Sequence, residues 1–166
     1  MPESEVLHAE HHLEYPYLRS VGPVIGAFLT GLRDGTILGV RGAGGTVIVP
    51  PTEYDPITSE DTGELVEVGP AGVVETWAWV SHPLPKHPRT TPFAWALIRL
   101  DGADTALLHT VDVDGPDGLA TGDRVVARFR PAGERVGAMS DIDAFVPEAS
   151  GRSGGSRGSG SSGSGS

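Results

Sequence analysis

The residues in this chain best able to do chemistry sit close together in one loop. His82, Pro83, Leu84, Pro85, Lys86, His87, Pro88, Arg89, Thr90 and Thr91 contain the only lysine, two of the six histidines and one arginine, with no acid. Such a loop could hold a phosphate through charge-assisted hydrogen bonds from Lys86, His87 and Arg89. It also fits a solvated strand connection whose charges only keep it soluble. Three prolines exclude helix here. A second cluster, His8, His11 and His12, has helical spacing for a metal pair, but its surroundings show no element to order the ligands. Gly42-Ala43-Gly44-Gly45 lacks the lysine and the following helix of a phosphate-cradling loop. His109 falls inside a strand-like run, and Asp112, Asp114, Asp117, Asp141 and Asp143 fall in turns or on an outer face. No residue is marked as nucleophile or general base, so the sequence predicts no catalysis from this chain alone.

The elements that position these residues follow from the hydrophobic pattern. Val24, Ile25, Phe28, Leu29 and Leu32 make one helical face after Pro23, and Asp34-Gly35 ends it, predicting a helix of about three turns. Thr36 to Arg41 and Thr46 to Pro50 predict a hairpin. Residues 52–63 read as a polar loop. Short runs at 64–69, 72–81, 92–100, 105–111, 124–130 and 141–146, punctuated by Gly, Pro and Asp, predict an antiparallel barrel of about five main strands. Two runs, 73–80 and 93–98, look apolar on both faces and hold all three tryptophans, Trp77, Trp79 and Trp95. Their second face needs a cover, either the helix or a partner protein. Four segments result: an extended arm (1–21), a helix plus hairpin unit (22–63), a barrel (64–148) and a tail (149–166). From Ser150 onward, 15 of 17 residues are Gly or Ser, which predicts disorder.

Composition narrows the function class. Zero cysteines exclude disulfides and thiolate-ligated zinc. Twelve basic and 22 acidic residues give a net charge of −10, against bulk binding to nucleic acid or anionic membranes. No apolar run of membrane-spanning length and no signal-peptide pattern occur, so the expectation is a cytoplasmic protein.

The order of parts resembles the acyl-CoA-associated OB-fold family with an N-terminal rubredoxin-like zinc ribbon, domain of unknown function thirty-five. Phe28-Leu29-Thr30-Gly31-Leu32-Arg33-Asp34-Gly35 fits its helix pattern F-x-x-G-L-x-x-G. Arg41 to Gly45 occupies its first knuckle, Pro50-Pro51 its P-P, and Asp55-Pro56-Ile57-Thr58 the place of its second Cys pair. Gly72 to Trp77, Pro92 to Gly102 and Leu119 to Val125 match three barrel strands or their entries. The resemblance covers residues 22–147. All four ligand cysteines are absent, so zinc is not expected and the knuckles should hold by packing and hairpin hydrogen bonds alone.

Family members act beside a thiolase-fold enzyme, and cysteine-free ones are similar to subunits of actinobacterial steroid side-chain aldolases. The resemblance therefore implies a non-catalytic partner of a thiolase-like (lipid-transfer-protein-like) aldolase, two copies of each, that helps hold an acyl-CoA during retro-aldol cleavage. Lys86, His87 and Arg89 are the candidate coenzyme A phosphate contacts, each worth about 1.5–3 kcal/mol. Val24, Phe28, Leu32, Trp77, Trp79 and Trp95 are the candidate docking side chains. The rivals are a nucleic-acid-binding OB module, opposed by the acidic charge, and a stand-alone acyl-CoA hydrolase or hydratase.

Overall fold

The computed structural model describes residues 20–148. The expected arm, with its histidines, and the Gly/Ser tail therefore lie outside the described residues, apart from residues 20 and 21 of the arm. Helix α1 (Pro23–Asp34) is followed by β1 (Ile37–Arg41), a 3-10 turn at Ala43–Gly45, and β2 (Val47–Ile48). Six further strands follow: β3 (Glu64–Val68), β4 (Ala71–Val80), β5 (Phe93–Leu100), β6 (Ala106–Val111), β7 (Arg124–Phe129) and β8 (Ile142–Pro147). The fold is mainly β, as the patterning predicts.

Strands β4 to β8 close a barrel in the order β4-β5-β6-β8-β7, with β4 returning to β7. All pairs are antiparallel except β6 with β8. This order with one parallel closure is that of a five-stranded OB-fold. Strand β3 departs from the expected division. It pairs with β1 in a separate sheet, β2-β1-β3, and Gly69-Pro70 then turns the chain into the barrel. Proline at the bend carries no amide for either ladder, which favours the change of sheet there.

The main apolar core runs through both units, with a smaller cluster of Val24, Val40 and Ile48 beside it. Phe28, Leu32, Ile37, Val47, Val49 and Val68 are continuous with Val74, Ile98, Leu107, Val125, Ile142 and Phe145 of the barrel. Leu107, Ile98 and Val74 are at most 1% exposed. Loop 103–105 adds a polar seam: Asp104 accepts the Val47 N–H at 2.7 Å, and Thr105 Oγ1 exchanges hydrogen bonds with both backbone groups of Val49. This occupies the backbone of the short edge strand β2.

The polar loop 52–63 is a structural staple. Helix α1 has no side-chain cap of its own at Gly22, which adopts φ 86°. Glu53 supplies the acceptors instead, at 2.9 Å from the Ile25 N–H and 3.3 Å from that of Val24. A carboxylate here also complements the positive end of the helix. A Cβ at Gly22 would strike the Glu53 carboxylate.

Two residues on, Asp55 pins both knuckles. Its Oδ2 accepts the Ala43 N–H of the first knuckle at 2.7 Å. Its Oδ1 accepts those of Ile57 and Thr58 in the second, at 2.8 and 2.9 Å. A Cβ at Gly42 would collide with Oδ2, so glycine leaves room for the carboxylate. The expectation of packing and hairpin bonds alone is thus incomplete, because one carboxylate ties the knuckles together. The amides of Thr58, Ala43 and Ile57 hold Asp55 below the usual carboxylate range, outweighing its burial.

Candidate docking site on the barrel seam

A β-bulge decides where the tryptophans go. The β4–β5 register shifts between Val74 and Thr76, so Val74 pairs with Ile98 while Trp77 pairs with Ala96 and Trp79 with Ala94. Facing partners share a sheet face. Val74, Ala94, Ala96 and Ile98 line the barrel interior, and the bulge therefore turns Trp77 and Trp79 inward with them. Both indoles pack against the core, where the small side chains of Ala94 and Ala96 leave space. Trp95 has the opposite parity and stays on the outer face, half-buried, opposite Thr110. The two runs are not equally apolar on both faces; the bulge switches which residues point inward.

Among the described residues, the outer face of β5 is covered at its Phe93 end, and not by the helix. The cover is the proline-stiffened loop 82–92. His87 meets Phe93 edge-on at 5.7 Å between centroids, and Phe93 meets Trp95 at 5.5 Å. Phe93 is fully buried as a result. Arg89 fastens the loop through an ion pair to Asp112 at 2.9 Å. Asp112 also takes Arg128 at 2.7 Å, and Arg128 reaches Asp143 at 2.6 Å. The hydrogen bond from Arg128 keeps the Asp112 carboxyl low. Of the three expected phosphate contacts, Arg89 is thus engaged internally and His87 packs on Phe93, with its Nδ1 accepting the Leu84 N–H at 3.2 Å. Of the three, Lys86 alone is exposed, and it makes no ion pair among the described residues.

The helix residues expected to dock are also spent. Val24, Phe28 and Leu32 are 7%, 3% and 0% exposed, buried in this chain's own core. They are the inner edge of the helical stripe, and their burial against β1 and the barrel leaves none of that area for a partner. Ile25 and Leu29 occupy the adjoining edge and remain half-buried.

Those two side chains open onto a hollow of about 420 Å³ bounded by Ile25, Phe28, Leu29, Pro50, Pro51, Ala106, Leu107, Leu108 and Met139. Beside it lies a second hollow of about 300 Å³, lined by Pro88, Trp95, Leu108, His109, Thr110, Arg130, Met139, Ser140, Ile142 and Asp143. Leu108 and Met139 belong to both, so the two form one groove. Alternation on β6 puts Leu107 inside at 1% exposure and leaves Leu108 at 56%. Among the described residues, no element covers β6 there.

His109 is, with Thr110, one of two buried polar residues of this groove. It contacts Phe145 edge-on at 5.6 Å, and its Nε2 lies 3.4 Å from the Met139 carbonyl. Burial outweighs these acceptors and pushes its pKa below the ordinary value. Its neighbour Asp141 is fully buried and orders the turn that carries Met139. Burial opposes its ionisation, but the amides of Val136, Ala138 and Gly137, at 3.0, 3.1 and 2.7 Å, prevail and hold its pKa low. The sequence pattern puts Asp141 in a turn or on an outer face; it lies in a turn, where as an acceptor it is buried.

Zinc does not fit the knuckles. Where the resembled family has four thiolates, this chain offers the one Asp55 carboxylate, already saturated by backbone amides. Among the described residues no group of three or more His, Cys, Asp or Glu could hold a metal ion. No helix of the described residues is long and apolar enough to cross a membrane.

Comparison with known proteins supports the fold. Residues 65–130 match the family model of the ChsH2 C-terminal OB-fold domain. A chain of the Ltp2-ChsH2(DUF35) aldolase is similar at 20% identity, over 78% of this chain and 98% of that one, with a TM-score of 0.56. A DUF35-family protein of unknown function from Sulfolobus solfataricus is 22% identical over 64% of this chain and 77% of its own, with a TM-score of 0.52. No curated protein matches significantly.

Proposed function

We propose, for a chain whose barrel belongs to the DUF35 family of OB-folds, that it is the non-catalytic partner of a thiolase-fold acyl-CoA aldolase. The match of residues 65–130 to the ChsH2 C-terminal OB-fold domain carries this reading. The likeness to a chain of the Ltp2-ChsH2(DUF35) aldolase extends it across the knuckle unit. An exposed apolar groove on the barrel seam is the physical feature such a role needs. The aldolase would supply the base and acid of retro-aldol cleavage, acting on a steroid side-chain acyl-CoA. Two copies of each subunit would assemble, and Lys86 would be the loop's free cation toward the coenzyme phosphates. The knuckles would need no zinc, since Asp55 joins them.

Coexpression with candidate thiolase-fold aldolases, followed by size-exclusion chromatography with mass measurement, tests this. Coelution of both chains at the mass of two of each is expected. A chain that elutes alone with every candidate refutes the reading.

A further inference from the structure

We propose that the aldolase partner docks in the groove between α1 and the barrel seam, through an apolar segment that carries an acidic side chain at the Arg130 end. This rests on the partner-subunit reading above and names the surface that serves it. Apolar side chains line the groove from Leu29 across Leu108 and Met139 to Trp95, joined at the Trp95 end by His109, Thr110, Arg130, Ser140 and Asp143. Its charged rim is uneven. Asp143 is neutralised by Arg128 at 2.6 Å. Arg130 has no ion pair among the described residues, and the nearby Asp141 carboxylate is buried and held by three amides. Arg130 is therefore the exposed cation of this rim, its charge partly offset by the ionised Asp141 behind it, in a chain whose net charge is −10. An exposed cation without an ion pair favours an acidic side chain on the occupant. A second copy of this chain would bring ten excess negative charges against its own, which opposes self-association of the bulk surfaces. The surface is also stiff: Met139 sits on the turn ordered by Asp141, and Trp95 is braced by Phe93 and the loop held by Arg89. Preorganisation of this kind lowers the ordering cost of docking.

The test uses the full chain and the thiolase-fold aldolase recovered by the coexpression above. Leu108→Asp is well placed, since Leu108 is 56% exposed and its loss leaves the core intact. Ile57→Asp, at an 87% exposed site on the second knuckle, is the matched control. Leu108→Asp is expected to raise the Kd by about 30-fold or more, as for a central interface anchor. Arg130→Glu should slow association several-fold and flatten its salt dependence. Ile57→Asp should leave the Kd unchanged, and all three should keep the parent's circular dichroism and melting temperature within a few degrees. If Leu108→Asp and Arg130→Glu bind like the parent chain, the groove assignment fails while the partner role stands. If the parent chain binds no aldolase, both fail. A parent chain that dimerises alone, and is made monomeric by Leu108→Asp, overturns the assignment in favour of a second copy. Saturation of the groove by a free acyl-CoA, with aldolase binding unaffected, overturns it in favour of a small ligand.

Discussion

Glu53 offers a quantitative test of how the knuckle unit is held to the helix. It provides side-chain acceptors at the α1 N-terminus for the amides of Val24 and Ile25. Removing an N-terminal cap costs about 1 kcal/mol, and losing an anion at the helix's positive end adds about 0.3–1 kcal/mol. Glu53→Ala should therefore destabilise by about 1.5–2 kcal/mol. For a domain of this size that is a fall in Tm of about 5–8 °C. Glu53→Gln keeps acceptor oxygen but no charge, and should cost about 0.5 kcal/mol. Gly22 supplies the second arm of a double-mutant cycle. Its backbone lies at φ 86° and ψ 166°, a region nearly reserved for glycine, and an added Cβ would displace the Glu53 carboxylate. Gly22→Ala should both incur backbone strain, about 1–3 kcal/mol, and lose the cap. In the Glu53→Ala background only the strain remains. The two effects should thus be less than additive by about 1.5–2 kcal/mol, the value of the cap counted twice. Urea unfolding of the four proteins measures this. Strict additivity, or a Glu53→Ala loss under about 0.5 kcal/mol, refutes the assignment of Glu53 as the cap.

Other outcomes follow from the same contacts. Asp55→Ala should lower Tm and speed amide exchange locally at Ala43, Ile57 and Thr58, while a zinc chelator leaves the Tm of the unsubstituted chain unchanged; a chelator-sensitive Tm contradicts the metal-free knuckle. Stability should depend on pH in two windows. His109 has a lowered folded pKa, so below 6.5 the unfolded chain binds a proton that the folded chain refuses. Stability therefore rises with pH up to about 6.5. Asp55 and Asp141, held below 3.8, contribute stability that is lost as pH falls through the acid range. His109→Gln should abolish the upper window and leave the lower; persistence of both refutes the role of the buried imidazole. In the assembled complex, Lys86→Ala should weaken acyl-CoA binding about 10-fold, as for loss of one charge-assisted contact. An unchanged dissociation constant removes the loop from coenzyme recognition.

Periodicity alone located the helix, the hairpin and all six later strands, because each is a regular run ended by Gly, Pro or Asp. What it could not show depends on contacts distant in sequence. The bulge after Val74 changes the parity of β4, and no residue type at Glu75 announces it, so Trp77 and Trp79 read as surface when they point inward. Strand β3 looks like any barrel strand; only its pairing with β1, across more than twenty residues of chain, assigns it to the knuckle sheet. The cover over Phe93 depends on Arg89 finding Asp112, again a long-range pair. Glu53 reads as an ordinary polar-loop residue because its amide partners lie in the helix, and Asp55 does so because its link to the other knuckle, the Ala43 amide, is distant in sequence. The helical stripe was legible as a stripe, but which of its edges the core consumes was not: Val24, Phe28 and Leu32 went inward, leaving Ile25 and Leu29 at the groove. That division could be read only once β1 and the 139–141 turn were in place against the helix.

The central claim is that this chain serves a catalytic companion. Its most direct test is the rate of retro-aldol cleavage of a steroid side-chain acyl-CoA by the thiolase-fold aldolase, titrated with the purified full chain. The account predicts that the chain alone gives no turnover and that the aldolase rate rises with added chain, saturating at one chain per aldolase subunit. An aldolase rate indifferent to the chain at every ratio, or turnover by the chain alone, contradicts it.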